Sequence, residues 1–177
     1  MHAETETATV GNFEAFEQLA AENPHVLFSL TPQKNSAFHI SSKLDHQPFA
    51  SELLHLCPPF LTHPNSKGDM PLHVAARSGH STIVKALISF GKLLGDVVEG
   101  GRGGVGESPA YVAAERGWVD IFRKIMKATP QFVEKGPDAW TPLHATVIRG
   151  HRGGFCERQT SWVSNTARTR FATGRGP

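Results

Sequence analysis

Met70-Pro71-Leu72-His73-Val74-Ala75-Ala76-Arg77-Ser78-Gly79-His80 is the stretch whose reading decides the fold. Proline at the first helical position loses nothing by lacking a donor, because no partner exists there for a backbone N–H, and glycine suits the positive φ of a helix end. The same order recurs in Ser36-Ala37-Phe38-His39-Ile40-Ser41, Ser108-Pro109-Ala110-Tyr111-Val112-Ala113 and Thr141-Pro142-Leu143-His144-Ala145-Thr146. The fourth-position residues 39, 73, 111 and 144 stand 34, 38 and 33 apart, so the chain is an array of similar units, one of them lengthened.

A second register runs independently of the first. Six residues after each fourth-position residue comes a turn pair: Asp45-His46, Gly79-His80, Gly117-Trp118 and Gly150-His151, with Gly11-Asn12 as the corresponding pair further back. Four, five, eight and nine residues beyond the turns are Ala15, Phe16, Leu19 and Ala20; Phe49, Ala50, Leu53 and Leu54; Ile83, Val84, Leu87 and Ile88; and Ile121, Phe122, Ile125 and Met126. That spacing is one face of an amphipathic helix. Each unit therefore reads as helix, tight turn, helix, loop. Ser108 and Thr141 can cap their helices through a hydroxyl, whereas Met70 and Ala37 depart from the Ser/Thr-Pro pair. The helices behind them are expected to start less sharply, by about 1 kcal/mol for a lost cap.

These segments are variants of T-P-L-H-x-A, the signature of an ankyrin repeat. The expected fold is all-α, an ankyrin-repeat solenoid of stacked helix-turn-helix units with loop or hairpin connections. Asn65 to His80, the Cys57-Pro58-Pro59 that precedes it, Ala113-Ala114-Glu115-Arg116-Gly117 and Thr141 to Ala145 narrow the likeness further. They resemble the plant ankyrin-repeat membrane proteins of the accelerated-cell-death type, over about residues 11 to 151. The resemblance implies protein partners and a part in plant defence or stress signalling. It also implies a carboxy-terminal membrane-spanning block in the full-length relatives, which this sequence lacks.

Along the chain, residues 1–34 read as a degenerate amino-terminal unit and linker, its second helix at 13–21 better defined than its first. Residues 35–151 hold the repeats, at about 35–67, 68–105, 106–138 and an incomplete 139–151. Between Ile88 and Ser108 the period stretches, and six glycines between Gly95 and Gly106 mark an altered junction. After His151 the helical pattern stops. Residues 152–177 carry five arginines against the single acid Glu157, and we expect a disordered basic tail. It could touch anionic lipid or nucleic acid; we favour a tail that replaces the true continuation of the array. Without a capping helix, the last unit would expose Leu143 and Val147.

Composition excludes several classes. The 177 residues carry a formal net charge of only +2, which gives no case for nucleic acid as the general partner. Cys57 and Cys156 form no metal or disulfide motif and fit a reducing compartment. The polar, acidic start is unlike a signal peptide, and no 18-residue apolar run is present. Gly101-Arg102-Gly103-Gly104-Val105-Gly106 matches G-x-G-x-x-G but follows a helix and a linker where the phosphate motif needs a strand, so it reads as an inserted loop. The seven-residue pairs His39/His46, His73/His80 and His144/His151 follow from the repeat and need no metal. No cofactor, no metal and no enzymatic activity are expected.

Two groups of residues carry the functional expectation. His39, His73 and His144, with Tyr111 in the third slot, are placed to bond backbone between neighbouring units. Lys67, Asp69, Arg77, Ser78, Glu107, Glu115, Arg116, Trp140 and Arg149 fall on loop tips and first helices, the concave face on which repeat solenoids bind. Trp140 is either an exposed anchor for a partner or packs on its own loop with Gly136-Pro137. The expected function is a protein-interaction scaffold, cytoplasmic or peripheral at the cytoplasmic side of a membrane. The alternative is a truncated form of a membrane protein that competes with the longer one or does nothing.

Overall fold

The structure, a computed structural model, describes residues 3–93, 107–128 and 141–150, apart from the side chain of Leu143. Its helices come in pairs: α1 (Ala3–Val10) with α2 (Phe13–Glu22), α3 (Ala37–Leu44) with α4 (Gln47–Leu56), α5 (Pro71–Ser78) with α6 (Ser81–Leu93), and α7 (Pro109–Glu115) with α8 (Val119–Ala128). The first helix of a further unit, α9 (Pro142–Ile148), follows. No strand occurs among the described residues. The first helices pack in the order α1, α3, α5, α7, α9 and the second in the order α2, α4, α6, α8, so the pairs stack into two layers and form a solenoid.

The layers differ in composition for a steric reason. Ser41, Ser42, Ala75, Ala76, Ala113 and Ala114 are all fully buried, and these small residues let neighbouring first helices approach closely. The second helices fill the other side with large side chains. All sixteen apolar positions counted from the turns are buried or half-buried, with Phe49, Leu53, Ile83 and Leu87 at 1% exposure or less. Each such side chain contributes roughly 1.5–3 kcal/mol. Between α2 and α4 the rings of Phe13 and Phe16 meet Phe49 edge-on, with centroids 5.7 and 5.3 Å away, a favourable aromatic arrangement. Lys124 ties α8 to α6 through the Ser81 hydroxyl.

The turn inside each pair has one conformation. Gly11, Asp45, Gly79, Gly117 and Gly150 have φ of 78°, 60°, 83°, 76° and 69°, the left-handed region that ends a helix. At two of them glycine is required twice over. A Cβ on Gly79 would lie 2.8 Å from the Trp118 ring, and one on Gly11 would lie 2.8 Å from the His46 ring.

The expected weak start at Met70 is corrected by the structure. Met70 has φ −83° and ψ 165°, like Ser36 at −82° and 172°, and α5 begins at Pro71 as sharply as its counterparts. The Met70 N–H donates to Nδ1 of His73, 3.2 Å away, as the Ser36 and Thr141 N–H groups do to their histidines, and the His73 N–H that a cap hydroxyl would accept turns to the Met70 carbonyl, 2.9 Å away. Ala37 likewise costs α3 nothing visible, since Ser36 remains at the N-cap and donates its N–H to His39.

Between units the chain makes short hairpin turns. Thr31 N–H donates to the Asn35 carbonyl and Asn65 N–H to the Asp69 carbonyl, at 3.0 and 2.9 Å. The two tips are joined by Ser66 N–H to the Gln33 carbonyl, 2.9 Å, and by Asn65 Nδ2 to Asn35 Oδ1, 2.8 Å. Short 3-10 turns at Pro24–Phe28 and Pro58–Leu61 lead into the tips, and Phe28 and Phe60 contact each other across them.

The lengthened unit does not break the stack. Helix α6 runs to Leu93, and α7 packs on α5 while α8 packs on α6. The glycine run 101–106, Trp140 and everything from His151 onward lie outside the described residues. In α9, the last described helix, Val147, in the slot that Ala76 and Ala114 fill without exposure, is 76% exposed, and Ile148 is also exposed.

Two buried side-chain atoms of the described residues lack a hydrogen-bond partner, Nδ1 of His63 and the hydroxyl of Ser42. Ser42 fills the slot of Ala76 and Ala114, yet its hydroxyl has no hydrogen-bond partner. An unsatisfied buried hydroxyl costs about 1–3 kcal/mol. Ser42→Ala is therefore expected to stabilise the chain by about 1 kcal/mol, read as a higher urea midpoint at unchanged slope.

Candidate partner-binding face

The first-helix layer owes its alignment to histidine. His39 is buried, and its Nδ1 accepts the Ser36 N–H at 3.1 Å, which closes the start of its own helix. Because Nδ1 accepts, the proton sits on Nε2, which donates to the Asp69 carbonyl of the next unit at 2.8 Å. His73 does the same between Met70 N–H and the Glu107 carbonyl, 3.1 Å. In the last unit His144 Nδ1 accepts the Thr141 N–H at 3.1 Å, with the Thr141 hydroxyl 2.8 Å away. Tyr111 fills the third slot, and there Ser108 Oγ caps the helix by accepting the Tyr111 N–H.

Burial pushes the His39 imidazole down from 6.5 to about 4, with nearby His63 adding to the effect and the Asp69 carbonyl opposing it. Protonation would turn Nδ1 into a donor facing the donating Ser36 N–H, so the bridge works only with a neutral ring.

A second set of histidines, whose role was not assigned from the sequence, points the other way. Nε2 of His46 donates to the Thr9 carbonyl and Nε2 of His80 to the Lys43 carbonyl, both at 2.9 Å, in each case the unit before. The seven-residue pairing of histidines was the available signal. In His39/His46 and His73/His80 the first member bonds forward and the second backward.

Of the residues assigned to the partner face, several turn out to hold one another. Arg77 grips Asp69 with two bonds, Nη1–Oδ2 at 2.5 Å and Nη2–Oδ1 at 3.2 Å, and reaches Glu107 of the next unit at 3.4 Å. The expectation of Asp69 as an exposed contact is corrected: its side chain is 4% exposed because the Arg77 guanidinium and the tip turn enclose it. Arg77 and Glu107 are partly covered by the same network. Glu115 and Arg149 likewise pair across the next boundary at 2.5 Å, although Arg149 stays largely exposed. Lys67 and Arg116 are exposed, and Ser78 is half-buried at the end of α5. Trp140 lies outside the described residues.

The chemistry available is that of a structured surface. Burial pushes the Cys57 thiol up to about 11, which leaves it unreactive at neutral pH. Among the described residues no group of three His, Cys, Asp or Glu could hold a metal ion, and no helix is long and apolar enough to cross a membrane.

Comparison with known proteins agrees with this architecture. The profile of the family "Ankyrin repeats", in three copies, matches residues 5–97, just over half of the chain. The chain is 36% identical over 93 residues to alpha-latrotoxin-Lhe1a of Latrodectus hesperus, which covers 52% of this chain and 6% of the toxin. It is 30% identical over 142 residues to alpha-latrotoxin-Lg1a of Latrodectus geometricus, covering 79% and 10%. It is also 32% identical over 79 residues to protein ACCELERATED CELL DEATH 6 of Arabidopsis thaliana, covering 45% and 12%. The chain thus spans about a tenth of the length of the curated relatives it matches.

Three substitutions test the geometry. His39 has a depressed folded-state pKa, so its contribution is complete above about pH 6.5 and is lost as pH falls toward 4. Urea denaturation at neutral pH and at about pH 4.5 should therefore show about 2–3 kcal/mol of acid loss in the native chain that is missing from His39→Asn. Arg77→Ala should cost about 2–3 kcal/mol because it leaves the buried Asp69 carboxylate unpaired. Arg149→Ala, at an exposed pair, should leave the thermal midpoint nearly unchanged.

Proposed function

The chain belongs to the ankyrin-repeat family, and we propose that it is a non-enzymatic scaffold that captures a protein partner on the hairpin tips and exposed edge of its first-helix layer, in plant defence or stress signalling. Ankyrin repeats generally mediate protein–protein interaction. The observation that carries the reading is the division of labour on this face. Histidine bridges and the Asp69–Arg77–Glu107 network hold the backbone, while Lys67 and Arg116 stand exposed on that frame and can vary without disturbing the core. Likeness to protein ACCELERATED CELL DEATH 6 supports the plant signalling setting, and with it a place in the cytoplasm or at the cytoplasmic side of a membrane. On this reading residues 1–34 cap the array and residues 35–151 form it.

The exposed Val147 and Ile148 on α9, side chains that a further stacked unit would cover, favour a second reading, in which the chain competes with a longer ankyrin-repeat protein for the same partners. Both readings place the partner on the same face.

Site-specific photocrosslinking in a plant cell extract tests the assignment. A photoreactive residue at Ser78 or Arg116 should give a discrete adduct, whereas one at Lys85 or Arg123 on the second helices should give none. Adducts confined to the second helices would overturn it.

A further inference from the structure

We infer that the partner presents an acidic segment, an extended stretch rich in Asp and Glu laid along the hairpin tips and the edge of the first helices. The inference rests on the scaffold reading above and adds the chemistry of what is bound. Net charge does not suggest it, because the whole chain carries only +2. The charge is sorted along the first-helix layer, with the acids Glu4 and Glu6 on α1 and cations prevailing from α3 onward. Within α3, α5, α7, α9 and their hairpin loops, the described acids are Asp69, Glu107 and Glu115, and all three are ion-paired inside the layer, Asp69 and Glu107 sharing Arg77 and Glu115 meeting Arg149. The other described acids belong to α1, to the second helices or, as Asp45, to a turn where the carboxylate faces His80.

What remains on the face is cationic. Lys34, Lys43, Lys67 and Arg116 are all exposed, and the ion pairs of the described residues include none of them. Lys34 and Lys67 stand on neighbouring tips, which the Ser66–Gln33 and Asn65–Asn35 bonds hold together. Lys43 occupies on α3 the slot that Arg77 occupies on α5, and Arg116 closes α7. The face therefore offers free positive charge at successive units.

Backbone strain points to the same place independently. Lys34 has φ 57°, in the left-handed region, at the tip position that Gly68 holds with φ 77° in the next hairpin. Glycine adopts that conformation at no steric cost and lysine does not. A lysine kept there gives up stability, and in exchange holds a charge at the tip.

Geometry limits the ligand further. Packed helices lie about 8–10 Å apart and an extended peptide advances about 3.3 Å per residue, so acids about three residues apart would meet cations on successive units. Single cations spaced in this way suit carboxylates along a peptide. A near-neutral chain lacks the dense positive field that draws in a phosphate polymer.

The test is to pan a random dodecapeptide library on the full chain and measure the recovered peptides by fluorescence anisotropy. Acidic peptides are expected, with binding that weakens about tenfold from low to high salt and about tenfold in Lys67→Glu. Lys34→Gly should weaken binding while raising the thermal midpoint, a combination that a purely structural lysine would not give. Neutral peptides that still lose binding in Lys67→Glu would overturn the acidic partner and leave the scaffold face standing. Acidic peptides indifferent to Lys67→Glu, Lys34→Gly and Arg116→Glu would overturn the assignment to this face. Recovery of no peptide would overturn both. Tighter binding of single-stranded DNA or phosphatidylserine vesicles than of any peptide, lost in the same variants, would replace the partner class with a phosphate surface.

Discussion

A first helix in a stacked array begins with N–H groups that have no helical partner, and the loop leading to the following unit carries a carbonyl facing the layer. His39 meets both needs with one neutral ring, Nδ1 toward Ser36 of its own helix and Nε2 toward Asp69 of the next unit. The rest of the stack depends on this bridge, because it fixes the start of a helix and its distance from the neighbour in one stroke. A ring of fixed size leaves little freedom in how far one unit can slide past another. The same bond forms behind Met70, where no hydroxyl stands at the cap: the Met70 N–H donates to His73. In the Tyr111 unit, where the slot holds no histidine, a serine cap returns.

The turns tie the array in the opposite direction. His46 and His80 reach back to Thr9 and Lys43, and the rings of His46 and Trp118 lie over Gly11 and Gly79 of the preceding units. The boundary between the α3–α4 and α5–α6 pairs is therefore held by bonds of opposite sense, His39 reaching forward to Asp69 and His80 backward to Lys43. Such paired ties tolerate length variation between them. The bridge from His39 spans 30 residues and that from His73 spans 34, yet both end on the carbonyl just before a helix cap. The extra residues of the lengthened unit leave the packing of α7 on α5 intact.

Electrostatics divides the same surface into frame and contact. Asp69 is enclosed because its loop turns back toward α5, where Arg77 waits one helical length away; the pair then extends to Glu107 and locks a second boundary. Charges that looked equivalent along the chain thus separate into those bonded inside the layer and those left facing outward.

The architecture was legible in the sequence because it follows from periodicity. The spacing of the fourth-position residues, the turn glycines and the apolar positions beyond each turn all express local rules of helix start, helix stop and one-sided burial, and α2 to α8 follow them. A histidine at a repeated place could also be assigned to the backbone between units. Only the tertiary structure decided which charges are free, since Asp69, Arg77 and Glu107 are brought together by a stacking distance that no local rule encodes. It likewise decided that His46 bonds backward, that Ser42 is buried without a partner and that Lys34 sits in a left-handed tip. A sequence determines each unit's shape through contacts a few residues long, whereas the company each side chain keeps is set by contacts some thirty residues apart.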